Sequence, residues 1–505
     1  MVNITHGTSP DAPAVAGERA PQGSGPAGLL GRLRGKPPEA SRSTREWRAE
    51  AAETATPPAP KVKIKLKQGR PGGRRLLFIN QYYWPDHAST AQHLTDLVES
   101  LAADGHECHV LCAQGCYKPG APRPPAFEVH HGVNIHRVPA TSLGRKSTIT
   151  RMVDYLSFYA RAVLTGLKLP RFDAVVTLTT PPIIGLIGTI LRRLKGSRHL
   201  YWSMDLHPDA SLALGRMSRK NPVVAWLAWL SDLVYRQADK VIVLGPYMAD
   251  RVLAKRVRPD RLATIPVWSR GDEIFPLPRE GHPLREQLGV SDKFVVMYSG
   301  NLGLAHSTSE FLEAARRLRG RDDVVFLFVG DGPRMREMRE AQAAEGLANI
   351  RFLDYFPREQ LHASLSLADA HLISMRHEMT GIVVPGKLYG VMASGRPAVF
   401  VGPDHCETAD TIRQAGCGLT VRLGDAEGLV AAVARLAAEP ETARLMGENG
   451  REAFLAAHER SSCCARWSEV IGDVLTVPRR RARLRDAAPT SLRRAIMPRV
   501  VGGSA

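Results

Sequence analysis

Short apolar runs alternate with amphipathic, helix-length stretches from about residue 76 to residue 475, and this alternation restricts the possible folds more than any other feature. "RRLLFINQYYWPD" leads into "STAQHLTDLVESLAADG" and then "HECHVLCA", a strand–helix–strand unit. The pattern continues with a helix near 149–169, the strand "AVVTLT", a helix at 183–194, the strand "RHLYWSM", a helix at 222–238, the strand "KVIVLG", a helix at 246–256 and the strand "LATIPV". Strands that are apolar throughout and separated by helices form a parallel sheet covered on both faces. After the polar, proline-containing "SRGDEIFPLPREGHPLREQLG" the alternation restarts with "KFVVMYSG", "VVFLFVG", "NIRFLDY", "AHLISM", "AVFVG" and "GLTVRLG". The chain therefore reads as α/β with two doubly wound, Rossmann-like domains, at 74–267 and 291–455. A linker at 268–290 joins them, and a C-terminal helix at 456–477 packs back toward the first domain. Open parallel sheets bind ligands outside the carboxyl ends of their strands, so the cleft between two such sheets is where a site belongs.

Charge is concentrated outside this body. Of the formal +18, residues 1–75 supply 14 Lys and Arg against 6 Asp and Glu, and residues 478–505 supply 8 Arg against Asp486, which leaves +3 for residues 76–477. A nucleic-acid reader carries its basic face on the fold, so nucleic acid is excluded as a partner. Residues 1–73 are rich in Ala, Pro, Gly and Ser and read as a disordered basic tail. Residues 478–505 read as a second basic tail; such tails suit an anionic lipid surface or simply stay solvated. The segment "TITRMVDYLSFYARAVLTGLKL" sets Ile149, Met152, Val153, Leu156, Val163, Leu164 and Leu167 at helical spacing, with Arg145, Lys146, Arg151, Arg161 and Lys168 around them. A helix of this kind lies in a membrane interface or covers a sheet.

The seven cysteines include the spaced set Cys108, Cys112 and Cys116. The first two fall in an apolar strand with no loop on which three sulfurs could converge, so they are expected as buried thiols, not as a metal site. An odd cysteine count with no apolar segment after a basic start points to a reducing, cytoplasmic setting. "AVVTLTTPPIIGLIGTIL" is broken by Pro181-Pro182 and reads as strand, turn and helix, not as a membrane span.

Three strands of the second domain end in glycine-bearing turns: Gly300, Asn301 and Gly303 in "YSGNLGLAHS", Gly330, Asp331 and Gly332 in "VGDGPRM", and Gly381 in "GIVVPGKLYGVMASGRP". Glycine lets backbone N–H groups approach an anion, and helix N-termini favour phosphate. Lys387, in the first turn of a short helix, faces the positive end of the helix dipole unless an anion is also bound there. A nucleotide diphosphate is the anion expected. Glu407 at the next helix start is a candidate for ribose hydroxyls, or else stabilises a helix N-terminus. In the first domain "YWSMDLHPDASLALG" ends a strand with Asp205, His207 and Asp209, groups able to orient hydroxyls or take a proton; the alternative is a capped turn with Asp209 as the N-cap. Ser89, Thr90 and His93 open the first helix as acceptor-side candidates, with capping as the alternative role.

Together "FINQYYWPD", "LAADGHECHVL", "DLHPD", "ADKVIVLG", "TIPVW", "YSGNLG", "VGDGP" and "VPGKLYGVMASGRP" resemble the retaining glycosyltransferases of family 4, in particular bacterial enzymes building O-antigen, capsule and exopolysaccharide. The resemblance implies the GT-B fold, with acceptor binding in the first domain and donor binding in the second. It implies transfer with retention from a UDP- or GDP-linked sugar to a lipid-linked or oligosaccharide acceptor, with no cofactor and no metal. The chain departs from the family at two positions, having Ile382 and Gly390 where the family usually has glutamates, and His306 stands near the place of a basic pair. The other functions open to this fold are a sugar-nucleotide 2-epimerase and a non-catalytic nucleotide-sugar-binding protein. Family acceptors and the basic tail together imply a cytoplasmic protein held peripherally on the inner face of the membrane.

Overall fold

A computed structural model describes residues 73–86, 88–115, 123–141 and 148–477. The two basic tails, apart from Gly73, lie outside the described residues, as do Cys116, Arg145 and Lys146 and the side chains of Ile149 and Arg151.

The first sheet contains β1 (Arg75–Ile79), β2 (Glu107–Ala113), β3 (Phe127–His130), β4 (Val133–Val138), β5 (Ala174–Thr177), β6 (Arg198–Trp202), β7 (Lys240–Val243) and β8 (Leu262–Thr264). Their order is β3-β4-β2-β1-β5-β6-β7-β8, and only β3 runs antiparallel. Phe78 pairs with Val110 on one side and Val176 on the other, so the apolar β1 is central and buried on both faces. The second sheet contains β9 (Phe294–Ser299), β10 (Val324–Val329), β11 (Ile350–Leu353), β12 (Ala370–Ser374), β13 (Ala398–Gly402) and β14 (Gly418–Arg422), all parallel, in the order β11-β10-β9-β12-β13-β14. β10 is buried along its whole length, as a strand covered by helices on both faces must be. Cys108 and Cys112 are both buried in one core cluster from β2.

One element departs from the expectation. The sequence reading passes from β2 directly to the helix near 149, whereas the chain first makes the β3–β4 hairpin. His131 (φ 44°) and Gly132 (φ 81°) form its two-residue turn, the doubly positive φ pattern that suits hairpin twist. β3 is half exposed, so it lacks the apolar run that marks the other strands. The segment 268–290, which joins the two domains, is fastened at both ends. Trp268 Nε1 and Arg270 Nε donate to the Asp96 carboxylate at 2.9 and 2.8 Å, fixing its start to the first domain. Its end is fixed to the second domain, where the buried Arg285 meets Asp369 at 3.0 Å and Leu277 N donates to Ser366 Oγ at 3.1 Å.

The helix Arg460–Thr476 crosses to the first domain, where Trp467 packs on Trp202 (4.7 Å between rings) and Cys464 Sγ lies 3.9 Å from Asp96 O. The two sheets meet at their carboxyl ends. Leu206, just beyond β6, donates its N–H to Ile382 O at 3.0 Å. Met248, just beyond β7, donates to Glu407 Oε1 at 2.9 Å. Among the described residues no helix is long and apolar enough to cross a membrane; "AVVTLTTPPIIGLIGTIL" is β5, a turn and the helix Gly185–Lys195.

Candidate active site where the two sheets meet

The glycine turns of the second domain stack on one another. Gly300 N donates to Val329 O (2.9 Å), Leu302 N to Asp331 O (2.8 Å) and Arg334 N to Leu302 O (3.1 Å). Gly330 and Gly332 have φ of 123° and 136°, and a Cβ at either would sit 2.5 Å from a carbonyl oxygen of the 300–302 loop. Loop-to-loop approach therefore accounts for glycine at both positions without a ligand. At Gly303 the nearest atom to an added Cβ is Asn301 Nδ2 at 3.5 Å, which leaves that position open. Asn301 and Asp331 are exposed at the turn tips. Gly381 (φ 67°) is explained by the domain contact, because a Cβ there would meet Tyr247 O at 2.5 Å. Arg251 Nε donates to the neighbouring Thr380 O at 2.6 Å.

Lys387 opens the helix Lys387–Ala393, which has Gly386 at its cap and no acidic residue in its first turn. Its Nζ donates to Asn301 O at 3.2 Å and lies 5.2 Å from the Tyr298 ring centre. Burial alone draws its ammonium down to about 8; among the described residues no carboxylate offsets that effect. A Cβ on Gly300 would lie 2.7 Å from Lys387 Cε, so the missing side chain at 300 is the space the lysine crosses. His306 donates from Nδ1 to Ser374 O. Burial, with the Lys387 charge second, pulls its imidazole down to about 3. It is therefore neutral and engaged, which removes it as the replacement cation for a basic pair. Ile382 is buried, and a Cβ on Gly390 would meet Leu365 Cδ1 at 3.5 Å, an apolar neighbour.

The first-domain side comes from the loop after β6. Asp205 and His207 lie on either side of Leu206, whose N–H reaches Ile382, so the loop is tied to the second domain between them. Burial raises the Asp205 carboxyl, and the nearby His207 opposes that shift. Ser231 Oγ donates to His207 O at 2.7 Å and fixes the loop from behind. Asp209 is not an N-cap. Pro208 occupies that position, and the Asp209 carboxylate pairs with Lys255 Nζ at 2.9 Å.

Neither Ser89 nor Thr90 caps the first helix, since Ala88 is at the cap and no side-chain bond is made there. His93, one turn on, stands edge-on to Trp268 at 5.0 Å, and burial lowers its imidazole to about 4. Glu407 stands in the first turn of its own helix, where Cys406 takes the cap. Its Oε1 also caps the first domain's helix Pro246–Ala254, so it serves a helix N-terminus across the domain boundary, and among the described residues Oε2 is buried without a partner. Gly245 permits this approach, since a Cβ there would lie 2.3 Å from Glu407 Cγ. Arg376, beside β12, and Trp268 also belong to these strand-end loops. Arg376 N donates to Ala305 O at 2.8 Å. Trp268 closes the "TIPVW" stretch, whereas Arg376 stands in no motif that would single it out. For a metal, the single convergent group among the described residues is Glu99, His130 and His131, whose ligand atoms lie within 4.8 Å of one another; it includes none of the candidates above.

Comparison with known proteins gives matches to both halves. Residues 90–268 match the glycosyl transferase 4-like domain, and residues 283–453 match glycosyl transferases group 1. WcaI of Escherichia coli (strain K12), named as a colanic acid biosynthesis glycosyl transferase, is 25% identical over 384 residues, 71% of this chain and 91% of that protein. A GDP-mannose-dependent alpha-mannosyltransferase of Mycolicibacterium smegmatis is 26% identical over 379 residues, 72% of this chain and 89% of that protein. The crystal structure of Anabaena Alr3699/HepE in complex with UDP-glucose superposes with a TM-score of 0.60 at 17% identity, covering 79% of this chain and 100% of that one.

Proposed function

The chain belongs to the family 4-like GT-B glycosyltransferases, and from that premise we propose that it moves a sugar, with retention at the anomeric carbon, from a UDP- or GDP-linked donor to a lipid-linked saccharide in cell-surface polysaccharide biosynthesis. The observation that carries this reading is Lys387. It is a half-buried cation with no carboxylate partner among the described residues, set against the Gly300–Gly303 turn at the carboxyl edge of the second sheet. Diphosphate is the leaving group of such a donor, and a fixed cation at the point where its negative charge grows lowers the barrier. The donor nucleotides follow the relatives, one named for GDP-mannose and one solved with UDP-glucose.

Asp205 and His207 supply the acceptor side, where they position the hydroxyl that attacks. The contact of Leu206 with Ile382 ties their loop to the donor domain, so closure of the cleft and placement of these side chains are coupled. The Lys387 ammonium takes the part that a metal plays elsewhere, and no cofactor is required in this reading. Attachment to the inner face of the membrane fits a lipid-linked acceptor.

A panel of UDP- and GDP-sugars screened by thermal shift identifies the donor. Release of free nucleoside diphosphate is then followed with and without saccharide acceptor. Acceptor-dependent release is the expected result. Interconversion of nucleotide sugars without acceptor is the epimerase outcome, and donor binding with no turnover over a broad acceptor panel is the binding-protein outcome.

A further inference from the structure

The helices Thr148–Lys168, Gly185–Lys195 and Pro222–Gln237 pack side by side on one face of the first sheet. Their inward residues, including Phe158, Ile187 and Val234, fill the core, and Gly185 lies against Val234 and Tyr201. Their outward residues are not those of a solvated surface. Trp226 and Trp229 are 57% and 53% exposed, one turn apart on the third helix and preceded by the exposed Val223. The first helix exposes Met152, Leu156 and Leu164. Large apolar side chains grouped in this way mark an interaction surface.

Charge identifies the occupant. Segments 148–171, 185–196 and 214–237 carry eleven Lys and Arg against two acids, Asp154 and Asp232. Arg161, Lys168, Arg193, Arg219 and Lys220 are exposed. Tryptophan at the boundary with a cationic surround is the pattern of an interfacial anchor, in which indole sits at headgroup depth and Lys or Arg meets anionic lipid. Polarity along the helices gives the orientation. Each helix follows a parallel strand and so begins at the carboxyl edge of the sheet, where the cleft lies. Trp226, Trp229, Met152 and Leu156 all fall in the first halves of their helices.

We propose that this three-helix face docks on an anionic bilayer, with Trp226 and Trp229 seated among the headgroups, so that the cleft beside His207 opens next to the membrane. Ser231, on the same helix as both tryptophans, holds the His207 carbonyl, so the docked helix and the acceptor loop are mechanically joined. For its biological setting the proposal rests on the lipid-linked acceptor suggested above; the docking itself stands on the exposed residues.

The test uses full-length protein with vesicles of phosphatidylcholine alone or mixed with phosphatidylglycerol, at low and at physiological salt, some with brominated acyl chains. Wild-type protein should co-sediment with the anionic vesicles, more strongly at low salt, and brominated lipid should quench its tryptophan emission. Trp226→Ser/Trp229→Ser should reduce partitioning by about tenfold or more and abolish the quenching. If that variant misfolds, as its melting curve would reveal, quenching of the wild type decides the matter unaided. The proposal is overturned if wild-type protein ignores anionic vesicles, or if it binds them without quenching. It is equally overturned if the folded variant binds like wild type, which assigns attachment to the basic tails, or if light scattering shows the face consumed in a dimer that does not bind lipid. Transfer to a water-soluble acceptor is measured separately, so loss of docking and loss of the transferase reading are distinguishable.

Discussion

Lys387 crosses the space that a side chain on Gly300 would fill, its Cε lying 2.7 Å from the position of that absent Cβ. Gly300→Ala therefore acts twice. It places a Cβ at φ 123°, which costs about 1–3 kcal/mol, and it pushes the lysine out of its channel. The expected outcome is a lower melting temperature together with weakened nucleoside diphosphate binding. A variant that loses stability but keeps wild-type nucleotide affinity would separate the glycine from the lysine.

The charge on Lys387 gives a pH dependence with a definite sign. Burial holds its ammonium at about 8 in the free protein, so the charge is present below that value and lost as pH rises through it. Nucleoside diphosphate affinity should fall above about pH 8. Lys387→Arg keeps its charge throughout and should show a flat profile, whatever its absolute affinity. Titrations of both proteins across this range check it; parallel profiles would remove the lysine as the cause.

His207→Ala should reduce turnover by about tenfold or more while donor affinity stays near wild type, if the residue has the acceptor-side role proposed for it. Steady-state rates paired with nucleotide calorimetry give both numbers. A wild-type rate would leave His207 with only its backbone role, the carbonyl held by Ser231.

Asp369 joins the start of β12 to the segment that leads into the second domain. Its carboxylate meets Arg285 and Arg279, each at 3.0 Å, and accepts Val295 N–H at 2.7 Å. Asp369→Ala leaves the buried Arg285 uncompensated and should cost about 3–5 kcal/mol, read from denaturant unfolding. A loss below about 1 kcal/mol would place that segment among surface ion pairs.

Both sheets were legible because their strands are apolar runs bounded by glycine and separated by amphipathic helices. The β3–β4 hairpin was not, although His131-Gly132 between alternating residues is a turn signal; its outer strand is half exposed and carries no apolar run. Lys387 was legible as a cation at a helix start. The partners of Glu407 and Asp209 were not: Glu407 caps Met248, 159 residues away, and Asp209 pairs with Lys255, 46 residues away. No local pattern encodes contacts between such distant loops. Gly330 and Gly332 show the same limit from the other side, since the feature that demands glycine is the backbone of a neighbouring turn.

The central claim is that Lys387 holds the donor diphosphate, and calorimetric titration of the preferred nucleoside diphosphate into wild type and Lys387→Ala at neutral pH tests it most directly. A charge-assisted phosphate contact contributes roughly 1.5–3 kcal/mol, so the variant should bind roughly ten- to a hundredfold more weakly with its melting temperature near that of wild type. Equal affinity in the two proteins would contradict the account and place the diphosphate elsewhere.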